Sequence, residues 1–567
     1  TPWPVPSLNM PSGAGQVGTG VEVSHIERIR ASFLDDQIRN ELVKLGEWEQ
    51  RADALDQVEA IFMEPTETGL NTLISQFWES WQELSKDPES SAVRTTVVET
   101  ANSLADAFQH THLQLSQLQD ELGRLIDIEL SQVNDLTSQI AALNKQIVNI
   151  KAADLSPNDL MDTRDLLLDE LSKLVNIKVV EEKDGSATVY LRSVTGEFDG
   201  EDNEIREISN AFLPIISGEV SASLEIGDDD VLVWKGDGVG FSTTITVDEE
   251  EKDVEVEVIN ITDKLGIGGE LKGLFYARDE LLESYINDLN RLVGSLAKEV
   301  NEVHVEGYDY YGNSGMKFFV IPDDTEDKLP DASNIAVNDE LLKNPMKIAA
   351  SSIGINISSH LGVVDPDPDE TELSSDSEYR IVVTQNDDNQ IYLQLQKKEE
   401  NNWKDVGDKM DFYDDTGSNI TIGTSPEEGE EGEFITFTLA ETPPPPGNYT
   451  VNFTAPGNGK NALRVAELRH KGIDNSENDG LDGATIDDFY RNLVSGLGVS
   501  THEAHRMVEN QGVLVDQIDA RRESISGVSI DEEMANMITY MHAYQAAARY
   551  IDTMDQLLDT LINRMAW

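Results

Sequence analysis

Ile530-Asp-Glu-Glu-Met534-Ala-Asn-Met537-Ile-Thr-Tyr-Met541-His-Ala-Tyr544-Gln-Ala-Ala-Ala548-Arg-Tyr-Ile551 is the stretch on which the reading of this chain turns. Its apolar or small residues Ile530, Met534, Met537, Met541, Tyr544, Ala548 and Ile551 recur in steps of 4, 3, 4, 3, 4 and 3. That spacing is the heptad seam of a helix that packs against another helix. The seam shifts by one step and resumes at Met554, Leu558, Leu561 and Met565. A helix cannot bury its own stripe, so these residues mark a contact surface rather than a reactive one. They are the candidate assembly residues of the chain.

Working outward, the residues before this helix are helical at intervals. Ile38, Leu42, Leu45, Trp48, Ala52, Leu55, Val58 and Phe62 follow steps of three and four from a signal that starts near Ile26, and Pro65 and Gly69 stop it. A short helix carrying Phe77, Trp78, Trp81 and Leu84 closes at Asp87-Pro88. The two tryptophans sit at helical spacing and read as core. Glu89 to about Ala153 holds no proline and one glycine, Gly123. Its seam runs through Leu104, Phe108, Leu115, Leu118, Leu122, Ile126, Val133, Leu136, Ile140, Leu143, Ile147 and Ile150, with a four-residue stutter at 118–122–126 that locally unwinds a coiled coil. At 1.5 Å per residue it spans roughly 100 Å. Ser156-Pro157-Asn158-Asp159 opens the next helix, with Ser156 as its N-cap, and that helix runs to about Leu174.

From Asn176 the pattern turns to strands: Val179-Val180, Ala187–Tyr190, Val231–Trp234, Thr243–Val247 and a single alternating run Val254–Val258. Helix returns from Gly269 to Val303 with Leu282, Tyr285, Leu289, Leu292, Leu296, Val300 and Val303 in phase. A second β region holds Tyr379–Val383, Ile391–Leu395, Phe434–Phe437 and Tyr449–Phe453. Helix resumes at Ile486. The order α, β, α, β, α gives an α+β multidomain fold: an elongated helical bundle or coiled coil built from N-terminal, middle and C-terminal segments, with inserted mainly-β domains. The segments are a linker (1–25), the N-terminal long-helix part (26–175), an inserted β domain (176–268), a returning helix (269–305), a second mainly-β region (306–485), the C-terminal bundle part (486–529) and the terminal helix (530–567).

The 567 residues include 42 Lys and Arg against 108 Asp and Glu, so the net charge is −66. This excess speaks against nucleic acid and against an anionic membrane surface as partners, and it reads as a solvated acidic skin suited to high salt. There is no cysteine, which excludes disulfides and thiolate metal sites. No run of about 18 apolar residues marks a membrane span. The opening Thr1-Pro-Trp-Pro-Val-Pro6 lacks the features of a secretory signal and reads as linker.

The motifs that suggest chemistry fall short of it. His502-Glu-Ala-His505 is one residue too short for the zinc-protease spacing H-E-x-x-H. Asp365-Pro-Asp-Pro-Asp369 lacks the glycine and the terminal glutamate of a calcium loop and reads as an acidic surface loop. Asp248–Glu251 and Glu427–Glu431 read as charged hairpin tips or connections, and Pro443–Pro446 as a rigid connector. Catalytic, cofactor-binding and metal-binding residues are therefore expected to be absent, and the chain is read as a non-enzyme that needs no cofactor.

Taken literally, Ile525-Ser-Gly-Val-Ser-Ile-Asp-Glu-Glu-Met-Ala-Asn-Met537 with Tyr540 and Ala543–Arg549 resembles the C-terminal signature of bacterial flagellar axial proteins, the rod, hook and hook-associated subunits. Gly69–Leu73 with Trp78 and Leu84-Ser85, Arg164–Asp169, Gly269–Leu274 with Arg278–Glu280, Gly457–Leu463 and Gly18–Val21 are similar to the branch that forms the first layer of the hook–filament junction. The resemblance implies a structural protein of the bacterial flagellum, exported through the flagellum's own type III apparatus. It implies extracellular assembly as a homo-oligomeric layer, with hook protein below, the next hook-associated protein above, and an export chaperone at the C-terminal helix. Such proteins pair an N-terminal helix with the C-terminal one, and this chain begins after that segment. The terminal helix is therefore expected to be poorly ordered in isolation or to borrow a partner from another subunit. Within the family, hook protein, flagellin and the third hook-associated protein are the alternatives. A secreted coiled-coil adhesin, or an enzyme carried in the filament by a catalytic β insertion, stands outside it.

Overall fold

The computed structural model describes residues 28–62, 69–153, 155–199, 205–227, 230–236, 239, 241–247, 250–322, 328–352, 356–357, 363–372, 379–385, 391–399, 402–412, 419–423, 434–439, 447–452, 457–474, 480–527 and 529–564. Its first helices are α1 (Ser32–Phe62), α2 (Leu70–Lys86), α3 (Ser91–Lys151) and α4 (Asn158–Leu174). A β region follows, with β1 (Ile177–Glu181), β2 (Ala187–Asp199), β3 (Ile205–Ser217), β4 (Val220–Ser221), β5 (Ser223–Ile226), β6 (Leu232–Lys235), β7 (Phe241–Val247), β8 (Glu250–Val256) and β9 (Val258–Ile261). Next come α5 (Gly269–Phe275), a π-helical turn (Tyr276–Leu281), α6 (Leu282–Glu306), β10 (Phe319–Val320), β11 (Ala336–Val337) and α7 (Asp339–Lys343). The second β region holds β12 (Asn356–Ile357), β13 (Val363–Glu372), β14 (Tyr379–Gln385), β15 (Ile391–Glu399), β16 (Asn402–Phe412), β17 (Asn419–Gly423), β18 (Phe434–Leu439) and β19 (Gly447–Asn452). The chain ends in α8 (Lys460–Glu467), α9 (Ile486–Ser526) and α10 (Ile530–Arg564). The α+β multidomain reading holds: helices from the start, middle and end of the chain, with antiparallel sheets inserted between them.

The chain forms two compact units. The first comprises Thr1–Ala54, Leu122–Arg278 and Thr501–Trp567. Here α1, α4 and α5 approach too closely for side chains. A Cβ at Gly46 would lie 2.5 Å from the Lys173 carbonyl oxygen, and one at Gly273 would lie 2.6 Å from that of Glu47. Lys173 then ties the three helices together through Glu49 (2.8 Å) and Glu270 (2.9 Å). Gly268 and Gly269, at φ 71° and 65°, turn the chain into α5 in a left-handed conformation that a Cβ disfavours.

The inserted sheet of this unit runs β4-β3-β2-β9-β6-β5, with β1 on β2. Two asparagines of α3 hold it by imitating a strand. The Asn134 amide accepts from the Leu224 N–H (2.8 Å) and donates to its carbonyl (2.7 Å). Fully buried Asn144 does the same with Ala187, at 3.0 and 2.8 Å. Each such pair satisfies backbone groups that would otherwise be buried unpaired.

The second unit comprises Leu55–Glu121 and Asp279–Ser500. An aromatic core joins its segments. Phe77 of α2 packs with Trp78, Phe318 and Phe319, Trp81 packs with Phe318, and the Phe62 ring of α1 meets Tyr285 of α6 and Tyr490 of α9 at 6.1 and 6.3 Å. Buried asparagines again stitch the backbone. Asn301 accepts from the N–H groups of Phe318 and Phe319, both at 2.8 Å, and Asn461 donates to the carbonyls of Val303 (3.0 Å) and Ala349 (2.8 Å). The β strands beyond form a five-stranded sheet β12-β19-β14-β15-β16 and a three-stranded sheet β13-β18-β17.

Several sequence expectations change. Ser156 is not the N-cap of α4: Pro157 holds that position, and the first backbone bond runs from the Met161 N–H to the Pro157 carbonyl. Val254–Val258 is not one strand. β8 ends at Val256 on β7, and β9 starts at Val258 on β6 and β2, so the alternating run is divided between two sheets. The helix expected over 269–303 is interrupted by the π-helical turn and extends to Glu306. Asp365–Asp369 is not a loop. It lies in β13, an edge strand paired to β18 with Pro366 opposite Phe437, where the missing proline N–H can face away from the sheet. Of the charged tips, residues 248–249 lie outside the described residues, between the paired ends Val247 and Glu250. The runs 427–431 and 443–446 lie outside the described residues as well.

Candidate assembly surface

α10 starts where the backbone of α9 stops. The Gly527 N–H closes on the Glu523 carbonyl at 2.7 Å. Two residues on, the Ser529 carbonyl accepts from the Glu533 N–H at 3.0 Å to begin the next helix. Asp531, Glu532 and Glu533 fill its first turn, where the helix dipole favours negative charge. From there α10 runs 35 residues, about 50 Å.

Its seam is open to solvent. Ile530 (75 % exposed), Met537 (61 %) and Tyr544 (76 %) stand out from the helix, and Met534, Met541, Ala548, Ile551, Met554, Leu558 and Leu561 are exposed as well. Met565 lies outside the described residues. The periodicity missed that the apolar surface is broader than one seam: Ile538, Tyr540, Tyr550, Leu557 and Ile562 are exposed too. At 100° per residue, the stripe moves around the helix between its two halves. Asp552, Asp555 and Asp559 occupy in the second half the face that Met534, Met537 and Met541 hold in the first.

The base of this surface is fixed by charge. Arg522, in the last turns of α9, donates to Asp169 of α4 (2.7 Å) and to Asp519 (2.7 Å), and lies 3.6 Å from Asp35 of α1. Asp169 also accepts from Arg39 Nε at 2.8 Å. Arg28 and Arg30 bind Asp165, and Arg28 also binds Asp162 at 2.9 Å. Burial pushes the Asp35 carboxyl above its ordinary range, with Arg30 and Arg39 pulling it back. The cluster therefore joins three helices from distant parts of the sequence just before the terminal helix leaves them. No single residue type or spacing announces it; only Arg164–Asp169 stood out beforehand, and only as part of a resemblance. Arg164 itself points elsewhere, donating to the Gly185 carbonyl (2.8 Å) and to Glu181 (2.7 Å).

The other candidate motifs assemble no site. His502, Glu503 and His505 lie on the exposed face of α9. Among the described residues no group of three His, Cys, Asp or Glu is placed to hold a metal ion, and no helix is long and apolar enough to cross a membrane.

Residues 55–319 match the family model described as flagellar hook-associated protein FlgK helical domain. Residues 522–565, which contain Arg522 and α10, match that described as flagellar basal body rod FlgEFG protein C-terminal. The chain is similar to flagellar hook-associated protein 1 of Bacillus subtilis (strain 168), at 28% identity over 99% of this chain and 89% of that protein. It is also similar to the protein of the same name from Salmonella typhimurium, at 24% identity over 97% of this chain and 90% of the relative. In fold it is similar to the flagellar hook junction protein FlgK from Burkholderia pseudomallei, with TM-score 0.58 and 18% identity, covering 87% of this chain and 100% of that one.

Proposed function

The chain belongs to the flagellar hook-associated protein 1 family, and from that premise we propose how its structure serves the joint between hook and filament. It is a structural protein of the bacterial flagellum, an extracellular appendage. Its work is mechanical: to be built into an axial layer and to transmit load, with no bond made or broken. Similarity to proteins of one name along nearly the whole chain favours this reading over hook protein, flagellin or the third hook-associated protein.

The observation that carries the mechanism is the exposed stripe of α10 in a segment shared with rod proteins. Completing the burial of a half-exposed Met, Leu, Ile or Tyr contributes about 1 kcal/mol, so Ile530, Met534, Met537, Met541, Tyr544, Ile551, Met554, Leu558 and Leu561 of the seam together amount to about 9 kcal/mol. Association costs roughly 4–15 kcal/mol. One seam contact is therefore marginal, and a closed layer in which each copy has neighbours on both sides is favoured. On this reading the copies form a homo-oligomeric layer, with hook protein below and the next hook-associated protein above. Before assembly the chain travels unfolded through the type III export apparatus, with the seam covered by an export chaperone.

Deletion of the gene in the bacterium that carries it tests the role. Hooks without filaments, with flagellin shed into the medium, are expected; normal filaments would refute the junction function.

A further inference from the structure

Gly46 and Gly273 have a steric reason, since a Cβ there would meet backbone at 2.5 and 2.6 Å, whereas Gly123 of α3 and Gly294 of α6, with nearest atoms at 4.0 and 3.6 Å, have room for one. The three glycines of α9 have no steric reason either. A Cβ at Gly496, Gly498 or Gly512 would meet nothing within 4 Å, and none of the three has a left-handed φ. Alanine would fit at each and would favour the helix, so glycine here weakens α9 without serving its packing. The three do not form a docking strip for a neighbouring helix either. Gly496 and Gly498 lie about 200° apart around the axis, so one neighbour cannot approach both. What they share is the backbone they soften.

A second observation points the same way. Between residues 499 and 526 the buried side chains of α9 are Thr501, Ala504 and Gln511, small or polar, while Val499, Val513 and Leu514 face solvent. Met507, Val508, Val515 and Ile518 are half-buried, so no apolar side chain larger than alanine is fully buried along this stretch. We propose that α9 is a built-in flexure: its backbone bends at 496–498 and at 512 as the protein enters the axial structure. The bend lets α10 meet neighbours whose spacing differs between the hook side and the filament side. The inference rests on the junction function proposed above.

The test is a chromosomal G496A/G498A/G512A variant, with hydrogen exchange on the purified full chain. Exchange across residues 494–514 should slow by roughly fivefold per substitution as local opening becomes rarer. The fold is retained, while filaments per cell fall at least severalfold. Adding Glu503→Gly, at an exposed position between the glycines, should restore both fast exchange and filaments. Normal filaments despite slowed exchange would overturn the flexure. So would failure of Glu503→Gly to restore filaments once exchange is restored, since the glycine positions rather than softness would then matter. A parallel deletion strain separates the two claims: filaments that survive deletion remove the junction role and the flexure with it, whereas filaments lost on deletion but kept by the triple variant remove the flexure alone.

Discussion

Replacing His304 by Gln offers a pH-resolved test of the second unit's core. His304 is fully buried on α6. Its Nε2 accepts from the Ala349 N–H at 2.9 Å, so its Nδ1 carries the proton and donates to the Met316 carbonyl at 2.6 Å. Burial lowers its pKa from 6.5 to about 4, with the Met316 carbonyl and Asp309 opposing the shift and Arg94 adding to it. Protonation of Nε2 would set two donors against each other. Because the folded pKa is depressed, the unfolded chain binds the extra proton first. Stability is thus fully present above pH 6.5 and is lost as pH falls toward 4, by about 2 kcal/mol at pH 5 and about 3 kcal/mol at pH 4. A glutamine amide can accept from Ala349 and donate to Met316 without titrating. It loses the edge-to-face contacts of the imidazole with Trp81 (6.3 Å) and Phe318 (5.4 Å), a cost of about 2 kcal/mol at pH 7. The wild type should therefore be the more stable at pH 7, and the two proteins should become equal near pH 5. Urea unfolding followed by tryptophan fluorescence reads this, since Trp78 and Trp81 stand in the same core, and contributions from the many carboxylates cancel in the difference between the proteins. A wild-type-minus-variant difference that stays constant within about 0.5 kcal/mol from pH 7 to 5 would refute the reasoning.

Gly307→Ala should destabilise the same unit by about 3 kcal/mol in urea unfolding, because its Cβ would lie 2.0 Å from Asn461 Nδ2 and displace an amide that holds two backbone carbonyls. Arg522→Ala should cost the first unit about 1–2 kcal/mol, less at high salt, because Asp169 keeps Arg39 as a partner; thermal melts at two ionic strengths would check it. Met541→Glu should leave the stability of the free chain within about 0.5 kcal/mol, since the side chain is exposed, yet prevent incorporation into flagella, which immunoelectron microscopy can score.

Helices α1, α2, α3 and α10 were legible because an apolar stripe repeats along each. Much else was not. The π-helical turn interrupts a stretch whose apolar phase looks continuous. Contacts from far away attend it: Arg51 of α1 stacks on Tyr276 at 3.8 Å, and Asp230, beside β6, binds Arg278 and Lys264. Val254–Val258 alternates as one strand should, but pairing partners, not alternation, decide where a strand ends. Asn134, Asn144 and Asn301 lie in stretches read as helix and Asn461 in the region read as mainly β, and their purpose appears only when a backbone segment lies opposite.

By itself the sequence determined what each segment must bury or leave wet. Periodicity is a local property, so the stripe of Met, Ile, Leu and Tyr at heptad spacing was legible before anything that surrounds it was known. Tertiary structure alone decided which groups meet: the arginines and aspartates at residues 28–39, 162–169 and 519–522, and the aromatic rings of Phe62, Tyr285 and Tyr490. Charge pairing and ring packing act over a few ångströms in space, and a chain of this length brings together residues hundreds of positions apart, a separation that no spacing rule encodes.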